Sequence, residues 1–333
     1  MFIINSNYHF CVGVVVLSKK IWSTLVHLGT NLWYEEGNYH GQDEDKLWKS
    51  PASPDIRFDR SVWDEYLINI KKNGINTIIL DIADALQYKS HPEIACRGAW
   101  THEEMTAEIN KLNKMGIDVI PKLNFSTCHD EWLGIYSHMI STPTYYEVCK
   151  DLIDEVCELF NAKYFHIGFD EEVYPNQSKY DFVVIRQNDL WWHDLNFFND
   201  CIKANGARTM MWSDYARHKP QEFVEKCPKD IVQCVWYYFA EFGKENLSAE
   251  NEIRVRPLDI LESAGFDQLP TGSIEYYKEN FELLVKYCKE NISDKHLLGF
   301  MQTTWESVTP QWKEYLFQSN EIVMSARKWF ELH

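Results

Sequence analysis

Gly74 is followed at once by Ile75-Asn76-Thr77-Ile78-Ile79-Leu80-Asp81-Ile82, and a helix-like pattern runs into that glycine from the N-terminal side. A glycine just past a helix can take the left-handed conformation that stops it. An apolar run directly behind such a stop reads as a buried strand of the parallel type. The arrangement recurs at Gly116 before IDVIPKLN, at Gly206 before ARTMMWSD and at Gly265 before FDQLPTGS. Helices that alternate with strands in this way build βαβ units.

Working outward from these stretches, we expect strands starting near Thr24, Asn76, Ile117, Tyr164, Ala207, Ile231, Phe266 and Leu297. Helix starts are marked as well. Thr101 with Glu104, and Thr144 with Glu147, both fit the capping box, in which a hydroxyl residue precedes Glu by three positions. A last helix is expected over about Gln311–Phe330. Strand–helix units spaced in this way suit one closed α/β barrel, a (β/α)8 TIM barrel forming a single catalytic domain over residues 21–333. Residues 1–20 are expected to be an N-terminal extension or the remnant of a leader. The apolar run Phe10–Leu17 is too short to cross a bilayer and has no basic segment before it. The polar segment Glu35–Asp55 reads as a long loop after strand one. No glycine-rich phosphate loop is present, so a nucleotide site has no support.

Composition narrows the function classes. The 333 residues carry a formal net charge of −17, which repels phosphate backbones and anionic lipid and argues against nucleic acid and membrane as partners. Nine cysteines are scattered without a CxxC or metal-ligand spacing, which favours free thiols and a reducing compartment, while export stays open. Aromatic residues make up 15% of the chain, including 13 Trp; they either wall a sugar-binding cleft or fill space between barrel and helices.

In a barrel of this kind the chemistry sits at the C-terminal ends of the strands. The residues expected there are Asp81 and Asp84 after strand two, Asn124 and His129 after strand three, and Asp170, Glu171 and Glu172 after strand four. They continue with Trp212 and Asp214 after strand five, Trp236, Tyr237 and Tyr238 after strand six, and Trp305 and Glu306 after strand eight. Carboxylates and indoles on one rim have the composition of a sugar pocket, so a carbohydrate is the expected substrate. The sharpest signal is the run from Lys163 to Glu172, KYFHIGFDEE. Neighbouring carboxylates raise one another's pKa, as a general acid near neutral pH requires.

Within that run, His166-Ile167-Gly168-Phe169-Asp170-Glu171 resembles the H-x-G-x-D-E signature of family 20 glycoside hydrolases, the β-N-acetylhexosaminidases. The resemblance implies that Glu171 is the general acid/base and that Asp170 orients the substrate's own 2-acetamido group, whose oxygen attacks the anomeric carbon. This is substrate-assisted retaining hydrolysis of terminal β-linked N-acetylhexosamine, with no metal or cofactor. It also implies a supporting role for His129 in Thr127-Cys128-His129, and ring packing and hydroxyl recognition by Trp305 and Glu306 in Thr304-Trp305-Glu306. Trp236 and Trp212 fit further aromatic walls, Tyr237 or Tyr238 fits the acetamido contact, and Asp84 lies near a family Asp. The chain resembles the compact, barrel-only branch of the family.

Two positions depart from the family pattern. No Arg stands in strand one, Leu25–Trp33, and no Tyr follows strand seven as read at Leu269–Ser273. Two alternatives therefore stay open. One is a barrel that binds aminosugars and turns them over poorly. The other is a barrel glycosidase in which a second carboxylate serves as nucleophile.

Overall fold

The computed structural model describes residues 20–35, 49, 51–178, 183–243 and 247–333. The expected N-terminal extension, Lys20 apart, and most of the expected loop after strand one lie outside the described residues.

The strands are β1 (Ile21–His27), β2 (Thr77–Asp81), β3 (Asp118–Lys122), β4 (Tyr164–His166), β5 (Arg208–Trp212), β6 (Val232–Cys234), β7 (Thr271–Ser273) and β8 (Gly299–Thr303). The α-helices are α1 (Arg60–Lys72), α2 (His102–Lys114), α3 (Pro143–Phe160), α4 (Tyr174–Gln177), α5 (Asp189–Ala204), α6 (Tyr215–His218), α7 (Pro220–Lys226), α8 (Ala249–Ser263), α9 (Asn280–Asn291) and α10 (Lys313–Leu332). All strand pairs are parallel, in the order β6-β5-β4-β3-β2-β1-β8-β7. Backbone bonds close the ring between its ends: Gln233 N–H donates to Asp267 O at 2.9 Å, Thr271 N–H to Val235 O at 2.8 Å and Tyr237 N–H to Thr271 O at 3.0 Å. The expected (β/α)8 TIM barrel is therefore the fold.

Each strand begins within three residues of its expected start, except β7, which begins at Thr271 instead of near Phe266. Phe266–Leu269 is held to its neighbours by isolated bridges only, and Pro270 has no N–H with which to extend a ladder. The capping box at Thr101 forms as expected, with Glu104 returning a bond to the Thr101 N–H at 2.9 Å. The one at Thr144 does not. α3 is capped two residues earlier, by Thr142, because Pro143 takes the first helical position, where its missing N–H costs nothing.

Period-two alternation sorts the strand side chains. Leu25, Ile79, Ile120, Met210, Val232, Leu269 and Met301 fill the barrel interior, with Trp212 above them. Val26, Ile78, Leu80, Phe165, Met211 and Phe300 face out and pack under the helices. Towards the C-terminal rim the interior turns polar. His27, Asp81, Lys122 and His166 are all buried there; the Lys122 ammonium pairs with Asp81, and His27 Nδ1 lies 3.2 Å from the same carboxylate. This buried layer is the floor of the site.

Candidate active site

The turn after β4 is built on backbone that few residues adopt. Gly168, Phe169 and Glu171 have φ of 67°, 73° and 56°. A Cβ at Gly168 would lie 1.9 Å from Asn124 Oδ1, so only glycine fits there. Left-handed conformations at non-glycine residues carry a strain cost and persist where surrounding contacts over-determine them. Those contacts are present. His166 Nδ1 accepts the Gly168 N–H at 3.0 Å, and Asp214 Oδ2 accepts the Glu171 N–H at 2.6 Å. Asn124 accepts the Phe169 N–H with Oδ1 at 3.3 Å and donates through Nδ2 to Asp170 Oδ1 at 3.1 Å. The strain aims Asp170 and Glu171 together towards His129, whose Nε2 is 3.4 Å from Asp170 Oδ2 and 3.4 Å from Glu171 Oε2.

Charge follows from this geometry. Burial opposes ionisation of Asp170, but His129, Lys122 and the Asn124 amide outweigh it and bring its pKa down to about 2. Burial likewise opposes a charge on His129, and Asp170 and Glu171 overcome it, lifting His129 to about 9. Asp214 is pushed up to about 6 by burial and by the neighbouring Asp170. Burial and Lys122 take His166 down to about 3, so it is a neutral acceptor for Gly168. At neutral pH the centre thus holds an ionised Asp170 beside a protonated His129. The Glu171 side chain is 31% exposed and opens towards solvent, whereas that of Asp170 is 9% exposed.

Both carboxylates open into a pocket of about 220 Å³. Trp212, Trp236, Tyr238 and Trp305 wall it, Lys122 and Asn124 lie at its base, and Leu32, Trp33, Lys49, Phe239, Arg254, Glu275 and Tyr276 surround its mouth. The Tyr238 hydroxyl and the Trp212 Nε1 are buried and make no hydrogen bond among the described residues. Two unpaired polar groups in the wall of a pocket fit a polar ligand.

The structure thus brings Asp170, Glu171, His129, Trp212, Trp236 and Trp305 of the expected site residues into one pocket. Three others it places elsewhere. Tyr237 points away from the pocket and donates to Glu241 O at 2.7 Å, because alternation along the segment sends Trp236 and Tyr238 inward and Tyr237 outward. Asp84 lines a separate cleft, where Asn31 donates to it at 2.6 Å and burial lifts its carboxyl to about 7. Glu306 stands outside the lining, beside Lys49 and Glu275, and is raised to about 7 chiefly by burial.

The structure also puts at the site residues to which the sequence pattern gives no task. Asn124 and Asp214 were visible at strand ends but had no assigned task. Glu275 and Tyr276 follow β7, and the early placement of that strand hid them. Lys49, and Arg254 on α8, carry no local signal. Trp191, Trp192 and His193 lie on α5, where Trp191 stacks on Tyr215 with centroids 4.2 Å apart and packs behind the turn on Phe169 at 5.0 Å.

A parallel barrel whose C-terminal rim joins paired carboxylates to an indole-walled pocket belongs to the barrel class of glycoside hydrolases. The particular family is settled by its sequence model. The catalytic domain of glycosyl hydrolase family 20 matches residues 75–317, and the chain belongs to that family. It is 28% identical to a lacto-N-biosidase of Bifidobacterium bifidum over 208 residues, 51% of this chain and 18% of that protein. It is 23% identical to a β-hexosaminidase of Emericella nidulans over 229 residues, 57% of this chain and 36% of that protein. Among solved structures, the family 20 exo-β-N-acetylglucosaminidase of Vibrio harveyi shares the fold with a TM-score of 0.57 at 17% identity, covering 91% of this chain and 54% of that one. The Streptomyces plicatus N-acetyl-β-hexosaminidase does so with a TM-score of 0.60 at 11% identity, covering 92% and 63%. The chain spans less than two thirds of the length of each of these relatives.

Proposed function

We propose that this chain removes terminal β-linked N-acetylhexosamine from oligosaccharides or glycoconjugates, with retention, by substrate-assisted catalysis. The observation that carries this reading is the buried Asp170 beside the more exposed Glu171, with His129 3.4 Å from each. In this reading Asp170 accepts the acetamido N–H and turns the carbonyl oxygen onto the anomeric carbon, so the nucleophile arrives already positioned. Its fixed negative charge then stabilises the cationic ring that forms. Glu171 protonates the departing oxygen and later takes a proton from the attacking water. Tyr238, one of the two tyrosines expected to make the acetamido contact, supplies it through a hydroxyl that has no hydrogen-bond partner among the described residues. Trp212, Trp236 and Trp305 face the apolar C–H surfaces of the ring.

The pocket volume of about 220 Å³ is below that of sites for drug-sized ligands and supports capture of a single terminal sugar. A conventional carboxylate nucleophile is less well supported, because Asp214 is already committed to the Glu171 N–H and faces the Trp236 indole nitrogen at 3.4 Å. The test is turnover of aryl β-N-acetylglucosaminide and β-N-acetylgalactosaminide beside the matching aryl β-glucoside. Cleavage of the acetamido sugars alone supports the reading. Cleavage of the plain glucoside sinks the substrate-assisted step, and aminosugar binding without cleavage of any of the three leaves only an impaired sugar-binding barrel.

A further inference from the structure

One buried cation outside the sugar pocket joins the elements that carry the catalytic groups. Arg186 lies in the segment before α5, and its side chain has no exposed surface. Its Nε donates to Asp194 Oδ2 on α5 at 2.7 Å, and its Nη2 donates to Tyr145 Oη on α3 at 2.8 Å. Nη1 donates both to the backbone oxygen of Phe125, at 3.0 Å, and to Glu172 Oε1. The guanidinium carbon sits 4.7 Å from the centroid of the Phe169 ring. Phe125 starts the loop that ends in His129. Phe169 and Glu172 bracket Asp170 and Glu171.

Glu172 closes the link, since its Oε1 also accepts the N–H of Thr127 at 3.0 Å, two residues before His129. Ser126 and Cys128 join the same loops through neutral bonds to Asp170 O and Glu171 O. Beside the His129–Asp170 contact itself, the Arg186–Glu172 pair is a second ionic connection, and through Tyr145 and Asp194 it ties both loops to α3 and α5. Desolvating such a pair is expensive, and a hydrophobic replacement is often as stable, so its presence is not explained by stability alone. The rigid guanidinium fork suits a different task, fixing several acceptors at set angles.

We propose that Arg186 and Glu172 are positioning residues for catalysis: they lock the loop bearing His129 to the turn bearing Asp170 and Glu171, without touching the sugar. The proposal rests on the function proposed above and adds a component that the H-x-G-x-D-E signature does not contain.

The test compares wild type with Glu172→Gln, Arg186→Lys and Arg186→Ala on the aryl β-N-acetylglucosaminide. A displacement of about 1 Å at a reacting centre costs up to roughly 100-fold, so kcat should fall roughly 10- to 100-fold while KM stays within about threefold. Guanidinium at millimolar concentration, far below the denaturing range, should restore part of the kcat of Arg186→Ala. The second readout is an NMR titration of a selectively labelled His129, which needs no turnover. In the variants the His129 pKa should fall from about 9 towards its ordinary value of about 6.5. Folded variants with wild-type kcat and wild-type His129 titration overturn the proposal. So does a loss of activity that merely tracks the unfolded fraction. If Arg186→Ala does not fold, Glu172→Gln, which keeps the side-chain shape, decides by the same two readouts. If wild type cleaves no acetamido sugar, the function reading fails, and the His129 titration still decides the positioning claim.

Discussion

The two halves of the rim are built differently. On the β3–β6 side, Asn124, His129, Asp170, Glu171 and Asp214 are cross-linked by bonds of 2.6 to 3.4 Å, and the backbone is strained to allow it. On the other side, from β7 round to β1, Glu275, Tyr276, Lys49 and Leu32 line the mouth; Lys49 pairs with Glu275 at 2.8 Å, and Tyr276 stacks on Phe239 with centroids 5.6 Å apart. Tyr276 is 53% exposed. The first half is organised for chemistry, where position is worth most. The second offers contact surface, where a shift of a side chain costs little.

The largest effects are expected on the braced side. Glu171→Gln and Asp170→Asn should each lower kcat on aryl β-N-acetylglucosaminide by roughly 10²- to 10⁴-fold, read by steady-state kinetics. A smaller loss would show that the bracing does not serve catalysis. Tyr238→Phe should reduce kcat/KM by roughly 10- to 100-fold, the scale of one strong hydrogen bond to a developing charge. Its neighbour Tyr237 provides the control. Tyr237→Phe removes a bond to Glu241 O and should cost about 1 kcal/mol of stability in a denaturant titration while leaving kcat/KM within about twofold. Equal kinetic losses at the two tyrosines would contradict the alternation that separates them.

A pH effect sharpens the same contrast. Burial opposes the charge on His129 and the two carboxylates overcome it, so its folded pKa of about 9 lies above its unfolded value of roughly 6.5. The stability it contributes is therefore complete below about pH 6.5 and lost as the pH rises through about 9. Thermal melts of wild type and His129→Gln should converge across that window. Parallel curves would mean that His129 is not held by the pair.

On the open side the expected changes are modest. Tyr276→Ala should raise KM by roughly three- to tenfold at unchanged kcat, as loss of binding shared by ground and transition states does. The smallest effect is expected at Glu306, which stands outside the pocket lining. Glu306→Gln should leave kcat/KM within about twofold, the range of substitutions away from a functional contact.

The chain itself determined the barrel and the place of the proposed catalytic pair. Glycine stops before apolar runs report local backbone chemistry, and Gly168, Asp170 and Glu171 stand within a few residues of one another, so their pattern is legible in one dimension. Partners that arrive from distant segments had no such signature. Asp214 accepts a bond from a residue 43 positions away, and Glu172 reaches Arg186 across 14. The tertiary structure alone decided which tyrosine of the pair 237 and 238 enters the pocket, where β7 begins and hence that Glu275 and Tyr276 reach the mouth, and that Asp84 and Glu306 stand aside. Strand register and alternation settle these points. A shift of one residue reverses the face of every side chain, and register is set by pairing with neighbouring strands that local sequence does not contain.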